Sequence, residues 1–256
     1  MAKHGTIVSL LERDALTNLS LLKMLETFGS QIEAIHVSDA EDWGVLLLLP
    51  TEASPYDRTV YPGTAYVVFA AYTNASLFPR LAERLPRRER LVIKLQDNAY
   101  AADFGSVLAM ERIRSFVSFT APAGAEYGAS EDVTTGTAYD EEQAELWMAN
   151  GYERGELESY FKKGALSFSL RREGECVSTC LVFPNYKRIW EIGAVHTKES
   201  WRERGLAKIT VEHALHHTLQ SGLIPRYNVA ESNTASIRLA GAVGLTPFMT
   251  LEHYLA

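Results

Sequence analysis

The stretch "WRERGLAKITVEHALHHTLQSG", Trp201 to Gly222, opens a helical pattern with a glycine preceded by two arginines, directly after a strand-like run, "RIWEIGAVHT". A helix N-terminus leaves backbone N–H groups without partners, and the helix dipole adds partial positive charge there. Such an end suits a phosphate when no side chain blocks close approach. Gly205 gives that clearance and can take backbone angles barred to other residues, and Ala207 keeps a nearby position small. Between Lys198 and Lys208 stand four basic and two acidic side chains. The segment therefore reads as a holder of a phosphate, most naturally a diphosphate. The same glycine also has a purely steric reading, with the arginines solvated. Neither a G-x-G-x-x-G fingerprint nor a P-loop is present.

Around this stretch the pattern is regular. "YDEEQAELWMAN" and "ERGELESYFKKG" read as consecutive helices, "ALSFSLRREGECVSTCLVF" as a hairpin turning at Glu173-Gly174, and "RIWEIGAVHT" as a third strand. After the helix come "PRYNVA" as a strand, "NTASIRLAGAVG" as a helix and "LTPFMTLEHYL" as a last strand. The first half is also mixed. "ERDALTNLSLLKMLETFGS" predicts a helix, and "IEAIHV", "WGVLLLLP", "TAYVVFAAYT", "ERLVIKLQ" and "IRSFVSF" predict strands, with a short helix at "ASLFPRLAERL". Residues 121–138 have no periodic apolar face and read as a linker between domains 1–120 and 139–256.

At 256 residues, 46% apolar and 22% charged, the chain can bury one or two cores without staples. A net charge of −7 argues against broad nucleic-acid binding. The opening "MAKHGTIVSLLERDAL" breaks its apolar run at Glu12, so no signal peptide is expected, and no apolar run approaches a membrane span. Cys176 and Cys180 alternate along one strand, which puts them about 13 Å apart at ~3.3 Å per residue. A disulfide between them is excluded, and a reducing cytoplasmic setting follows.

The run "RERGLA", Arg202 to Ala207, resembles the acyl-CoA signature R/Q-x-x-G-x-G/A of the GNAT N-acetyltransferase superfamily. The element order from residue 139 onward is similar too, and "NTASIRLAGAVGL" resembles the family's asparagine-led helix. The resemblance implies an α/β (α+β) GNAT fold, a mixed twisted sheet flanked by helices. By its pattern the first half resembles a degenerate GNAT half without a phosphate signature, as in tandem glycine N-acyltransferase-like proteins and some bacterial acetyltransferases. Twelve residues follow Gly244, room for one strand where the family usually has two. The first half is therefore expected to supply the missing sheet edge.

What the resemblance implies for the site can be placed residue by residue. Acetyl-CoA is the implied co-substrate, with no metal. Its pantetheine arm would lie along the backbone of Val195, His196 and Thr197, and the Val195 N–H would polarise the thioester carbonyl. The loop Arg202, Glu203, Arg204, Gly205, Leu206, Ala207 would take the pyrophosphate, with Arg202 adding charge. Asn228, Asn233 and Ser236 would help hold the arm. Glu191 lies eleven residues before Arg202, where histone acetyltransferases of the superfamily carry a general-base glutamate. The competing reading of Glu191 is a structural ion pair, with Arg188 as the partner. Many family members place a tyrosine acid seven residues after the helix-opening asparagine, and here Ala240 stands there. Ser236, Tyr227 or water would then protonate the thiolate, unless it leaves unprotonated.

The implied activity is acetyl transfer to a primary amine, borne by a small molecule or a protein, in a monomer or homodimer. A non-catalytic acyl-CoA-binding regulator or sensor is the alternative. His213, His216 and His217 lack the zinc-protease glutamate and a third ligand, so they read as solvated or core histidines.

Overall fold

A computed structural model describes residues 2–256, with side chains from His4 onward. It divides into two compact units, residues 1–117 with 249–256, and residues 118–248. The division falls inside two strands rather than within the expected linker.

Unit 1 starts with α1 (Ala2–Leu11) and α2 (Leu19–Phe28). Strands β1 (Glu33–Asp39), β2 (Asp42–Pro50), β3 (Tyr66–Tyr72) and β4 (Leu91–Leu95) follow, with α3 (Pro55–Val60) and α4 (Phe78–Ala82) between them and α5 (Asn98–Gly105) after them. β5 (Glu111–Thr120) leads out of the unit. β2 is buried on both faces, as its leucine run requires. β1, β2 and β3 pair antiparallel, whereas β3 and β4 pair in parallel across α4. The last strand of the chain, β11 (Thr246–Leu255), pairs antiparallel with β4 over Glu252–Leu255. Its Tyr254 joins Leu46, Val68, Phe78 and Phe104 in the core of this unit.

Unit 2 holds β6 (Val133–Gly136), α6 (Glu141–Met148), α7 (Arg154–Lys162), β7 (Leu166–Arg172), β8 (Glu175–Tyr186), β9 (Ile189–Thr197), α8 (Leu206–Gln220), β10 (Ile224–Ala230) and α9 (Thr234–Ala242). Its strands run in the order β10-β9-β8-β7-β6. Asp140 caps α6 by accepting the Gln143 N–H, an Asp-x-x-Gln start. The β7–β8 hairpin turns at Glu173 and Gly174, both at positive φ (54° and 83°), as a tight right-twisting hairpin demands. Trp147, Leu157, Leu181 and Ala194 form one core, and α8 packs against β7, β8 and β9.

Several elements differ from the sequence reading. α1, α3 and α5 were not expected, and β6 stands inside the stretch read as linker. The helix expected from Glu12 is a single 3-10 turn, with α2 starting only at Leu19. On α8 the buried face comprises Leu206, Thr210, Val211, Ala214, Leu215 and Thr218, while Ala207 and Leu219 lie at its edges, so two threonines stand among the apolar residues. The threonines can enter the core because each hydroxyl donates to a carbonyl one turn back, Thr210 to Leu206 (2.9 Å) and Thr218 to Ala214 (2.7 Å).

Candidate active site

β9 and β10 pair in parallel only from Ile189↔Ile224 to Glu191↔Arg226. Beyond that point they part, and a cleft of about 260 Å³ opens between them. What parts them is local. Opposite β8 the register of β9 jumps, with Gly193 facing Leu181 and His196 facing Thr179, so Ala194 and Val195 form a bulge. Ala194 sits at φ 51°, a costly angle for an L-residue, which the surroundings must enforce. The α6–α7 loop does so. The Ala194 N–H donates to the Tyr152 hydroxyl (3.1 Å), Asn150 Nδ2 donates to the Val195 carbonyl (2.9 Å), and Asn150 Oδ1 meets His196 Nδ1 (3.0 Å). Burial, then the charge of Arg202, holds the His196 imidazole below its usual pKa.

The chain leaves β9 through a 3-10 turn and reaches α8 with Gly205 as N-cap in the left-handed region (φ 75°, ψ 4°). No side chain caps the helix. Among the described residues, the N–H groups of Arg204 through Lys208 meet no backbone acceptor; the first bond into the helix is Ile209 N–H to the Gly205 carbonyl (3.2 Å). A Cβ on Gly205 would meet nothing within 4 Å, so it is the backbone angle, not crowding, that asks for glycine here. Arg202 donates from Nε to the Thr197 carbonyl (3.2 Å), and Arg204 lies over the Trp201 ring (4.8 Å). Arg204 also donates from Nη2 to the Ser200 carbonyl (3.1 Å), and both arginines are exposed.

On the other wall, Asn233 caps α9 by accepting the Ser236 N–H (3.1 Å), which leaves its amide NH2 for a ligand. Asn228 Oδ1 accepts from Ser118 Oγ (2.9 Å) and Arg226 Nη2 (3.1 Å). Tyr227, Asn228, Asn233 and Ser236 line the cleft opposite Tyr152 and Val195.

This geometry is a splayed strand pair feeding a helix start of unpartnered amides. Residues 132–254 match the family model described as GNAT acetyltransferase. This domain belongs to the GNAT family. Solved structures similar to the chain include the GCN5-related N-acetyltransferase from Sphaerobacter thermophilus, 15% identical, covering 93% of this chain and 85% of that one at a TM-score of 0.59. Another is the GCN5-related N-acetyltransferase from Kribbella flavida, 15% identical, with coverages of 94% and 93% and a TM-score of 0.58. A tandem GNAT protein from the clavulanic acid biosynthesis pathway is 13% identical over 93% and 87%, at a TM-score of 0.51. These likenesses are of fold. No curated protein sequence matches the chain.

Of the residues expected from the resemblance, Val195, Asn228, Asn233 and Ser236 line the cleft, whereas His196 and Thr197 at the end of β9 and residues 202–207 at the start of α8 are not among its lining residues. Glu191 stands apart. It is 8% exposed, does not line the cleft, and sits at the last β9–β10 pair. Its Oε2 accepts from Arg226 Nη1 (2.8 Å) and Asn185 Nδ2 (2.9 Å). The ion pair thus exists with Arg226, whereas Arg188 donates to the Gly222 carbonyl. The histidines of α8 serve the fold: His213 Nδ1 accepts the Ser130 N–H (3.0 Å) and His216 Nδ1 meets the Tyr127 carbonyl (2.7 Å). Asn150, Tyr152 and Arg226 were missed. The tripeptide Asn-Gly-Tyr between two helical patterns was the available signal for the first two.

Unit 1 has its own parallel pair, β3 with β4, which ends at Phe69↔Lys94. There the Tyr100 hydroxyl both accepts the Tyr72 N–H (3.1 Å) and donates to the Tyr72 carbonyl (2.9 Å), with the rings 4.0 Å apart. A side chain of α5 thereby takes the backbone groups that an extended ligand would use.

Proposed function

We propose that the domain transfers an acetyl group, or a related acyl group, from acetyl-CoA to a primary amine by direct attack within a ternary complex. The observation that carries this reading is the run of free amides at Arg204–Lys208, at the start of the helix that follows β9, together with the cleft where β9 and β10 part. Five adjacent donors with helix-dipole charge behind them suit a diphosphate, and the parted strands suit an extended arm ending in a thioester. Arg202 supplies charge to the diphosphate. Asn228, Asn233 and Ser236 border the arm, and the Val195 N–H in the bulge polarises the carbonyl. The acceptor is a small-molecule or protein amine, and the protein works in the cytoplasm as a monomer or homodimer. Both cysteines are free and buried, which accords with a reducing compartment. Among the described residues no helix is long and apolar enough to cross a membrane.

Glu191 is assigned as the base that takes the amine proton, through water, with Arg226 and Asn185 fixing its second oxygen. That same ion pair favours a second reading, an acyl-CoA-binding regulator that retains the cleft without turnover. Release of free thiol from acetyl-CoA with a panel of amines separates the two. Enzyme action requires release with at least one amine, and its loss in Glu191→Gln with CoA binding intact. The double variant Glu191→Gln/Arg226→Met removes the stranded buried cation, so inactivity there reports chemistry rather than misfolding. Tight CoA binding without release for every amine would establish the regulator.

A further inference from the structure

The identity of the proton donor for the leaving thiolate can be argued from the cleft, on the reading of the site as an acyl transferase. When the tetrahedral intermediate collapses, the carbon–sulfur bond breaks and its electron pair stays on sulfur. Among the described residues lining the cleft there is no carboxylic acid, imidazole or ammonium group. The groups there with a proton on oxygen are Tyr152, Tyr227 and Ser236. Ala240, one turn further along α9, is fully buried and has no proton to give.

The two phenols differ in what they already do. Tyr152 has its oxygen committed to the Ala194 N–H and holds the bulge in shape. Tyr227 is the first residue of β10 beyond the last pair with β9, so it stands at the apex where the strands part. It is 4% exposed, and it lines the cleft together with Ser236 in the first turn of α9. Ser236 is only half-buried, so solvent reaches this wall of the cleft. Burial pushes the Tyr227 phenol up to about 12, so it keeps its proton through the neutral range.

We propose that Tyr227 donates its phenolic proton to the departing thiolate and recovers it from water. The Tyr227 O–H bond breaks as the S–H bond forms. The tyrosinate then takes a proton from solvent water that reaches the cleft. The proton surrendered by the amine balances the one consumed, so thioester and amine give amide and thiol with no other reactant.

The test uses the full chain and two measurements. The first is titration of the thiol of bound coenzyme A, followed by thiolate ultraviolet absorbance, and it needs no turnover. A phenol donating to sulfur lowers the bound thiol pKa, so Tyr227→Phe should raise it, while Tyr160→Phe, at a phenol on α7 that does not line the cleft, leaves it near wild type. The second is steady-state transfer to an active amine. There Tyr227→Phe should lower kcat by about 10²–10⁴-fold, the usual worth of a positioned acid, with KM for acetyl-CoA unchanged. Fluorotyrosine placed at 227 keeps the shape and acidifies the phenol, so the basic limb of the kcat profile should move to lower pH even where Tyr227→Phe folds poorly. An unchanged thiol pKa in Tyr227→Phe, an unmoved basic limb, or a larger effect in Tyr160→Phe would each overturn the assignment. Absence of turnover in the wild type would instead count against acyl transfer, with the thiol titration still deciding where the phenol points.

Discussion

Substitution of Gly205 separates what the glycine does for the backbone from what it does for the ligand. At φ 75° an alanine pays the left-handed penalty, roughly 1–2 kcal/mol, whereas asparagine adopts this region more readily. Neither side chain clashes within the fold, since a Cβ there meets nothing within 4 Å. Gly205→Asn should therefore be nearly as stable as wild type, and Gly205→Ala slightly less so. Both, however, add a side chain in the middle of the run of free amides at Arg204–Lys208, where a bound diphosphate would have to approach. Charge-assisted hydrogen bonds are worth about 1.5–3 kcal/mol each, so losing two from the diphosphate costs ~3–6 kcal/mol. That corresponds to a dissociation constant raised by about 10²–10⁴. The assay is thermal and urea unfolding with and without coenzyme A. At 100 times the wild-type dissociation constant, the ligand should add about 2.7 kcal/mol to the wild type, but only ~0.4 kcal/mol to a variant that binds a hundredfold more weakly. If the asparagine variant gains as much as the wild type, clearance at residue 205 is irrelevant and the amides are not the diphosphate site.

Other consequences are open to direct measurement. Glu191→Gln leaves Arg226, 6% exposed, without its counter-charge and should cost about 3–5 kcal/mol in urea unfolding; Glu191→Gln/Arg226→Met should recover much of it, and a neutral single variant would refute the pair. His253 is 4% exposed, and burial, then Lys94, then Arg114, depress its pKa to about 3. The unfolded chain therefore takes up a proton that the folded one refuses, and stability falls as pH drops from about 6.5 towards 3, by roughly 2 kcal/mol between pH 7 and 5. His253→Asn should flatten that slope, and an unchanged slope would show that His253 titrates normally. Tyr100→Phe strands the N–H and carbonyl of Tyr72 and should cost about 1–3 kcal/mol without conferring coenzyme A binding on unit 1; a neutral effect on unfolding would mean the Tyr100 hydroxyl is dispensable.

The parts of the fold that sequence made legible are those whose cause is local. The strand, basic turn and helix from Ile189 to Gln220 carry alternation, a forced glycine and helical spacing within a few residues of one another. The Asn233 cap and the Glu173-Gly174 turn are local too. Other features depend on residues far apart. The choice of Arg226 over Arg188 as partner to Glu191 is made by strand register, 35 residues away along the chain. The bulge at Ala194 is enforced by Asn150 and Tyr152 from another element, and nothing in "EIGAVHT" announces it. Thr210 and Thr218 interrupt an apolar stripe on paper, yet back-bonding to the preceding turn lets them enter the core. α3 has six residues, too short for helical periodicity to register, and its Ser54 cap is visible only once Asp57 is seen to accept from Ser54 and Lys94.

The two units differ in what becomes of the backbone freed where a parallel strand pair ends. Each contains a parallel strand pair joined by a helical crossover, and each pair stops after a few residues. In unit 1 the backbone freed at Tyr72 is taken by Tyr100. The turn after β3 is sealed as well, for the Asn74 side chain accepts the Ser76 N–H, and buried Leu77 and Phe78 follow. In unit 2 the freed backbone is held open by the Tyr152–Asn150 loop, and the turn after β9 leads to amides that no described residue satisfies. Unpaired backbone donors at a helix start are tolerated only where water or a ligand can reach them. The sequence difference is thus small: a left-handed glycine before α8 in place of a 3-10 turn that Asn74 caps and that runs through buried Leu77 into Phe78 at the start of α4. Neither helix has a side-chain cap, so what distinguishes α8 is the run of free amides at Arg204–Lys208 that follows its glycine turn.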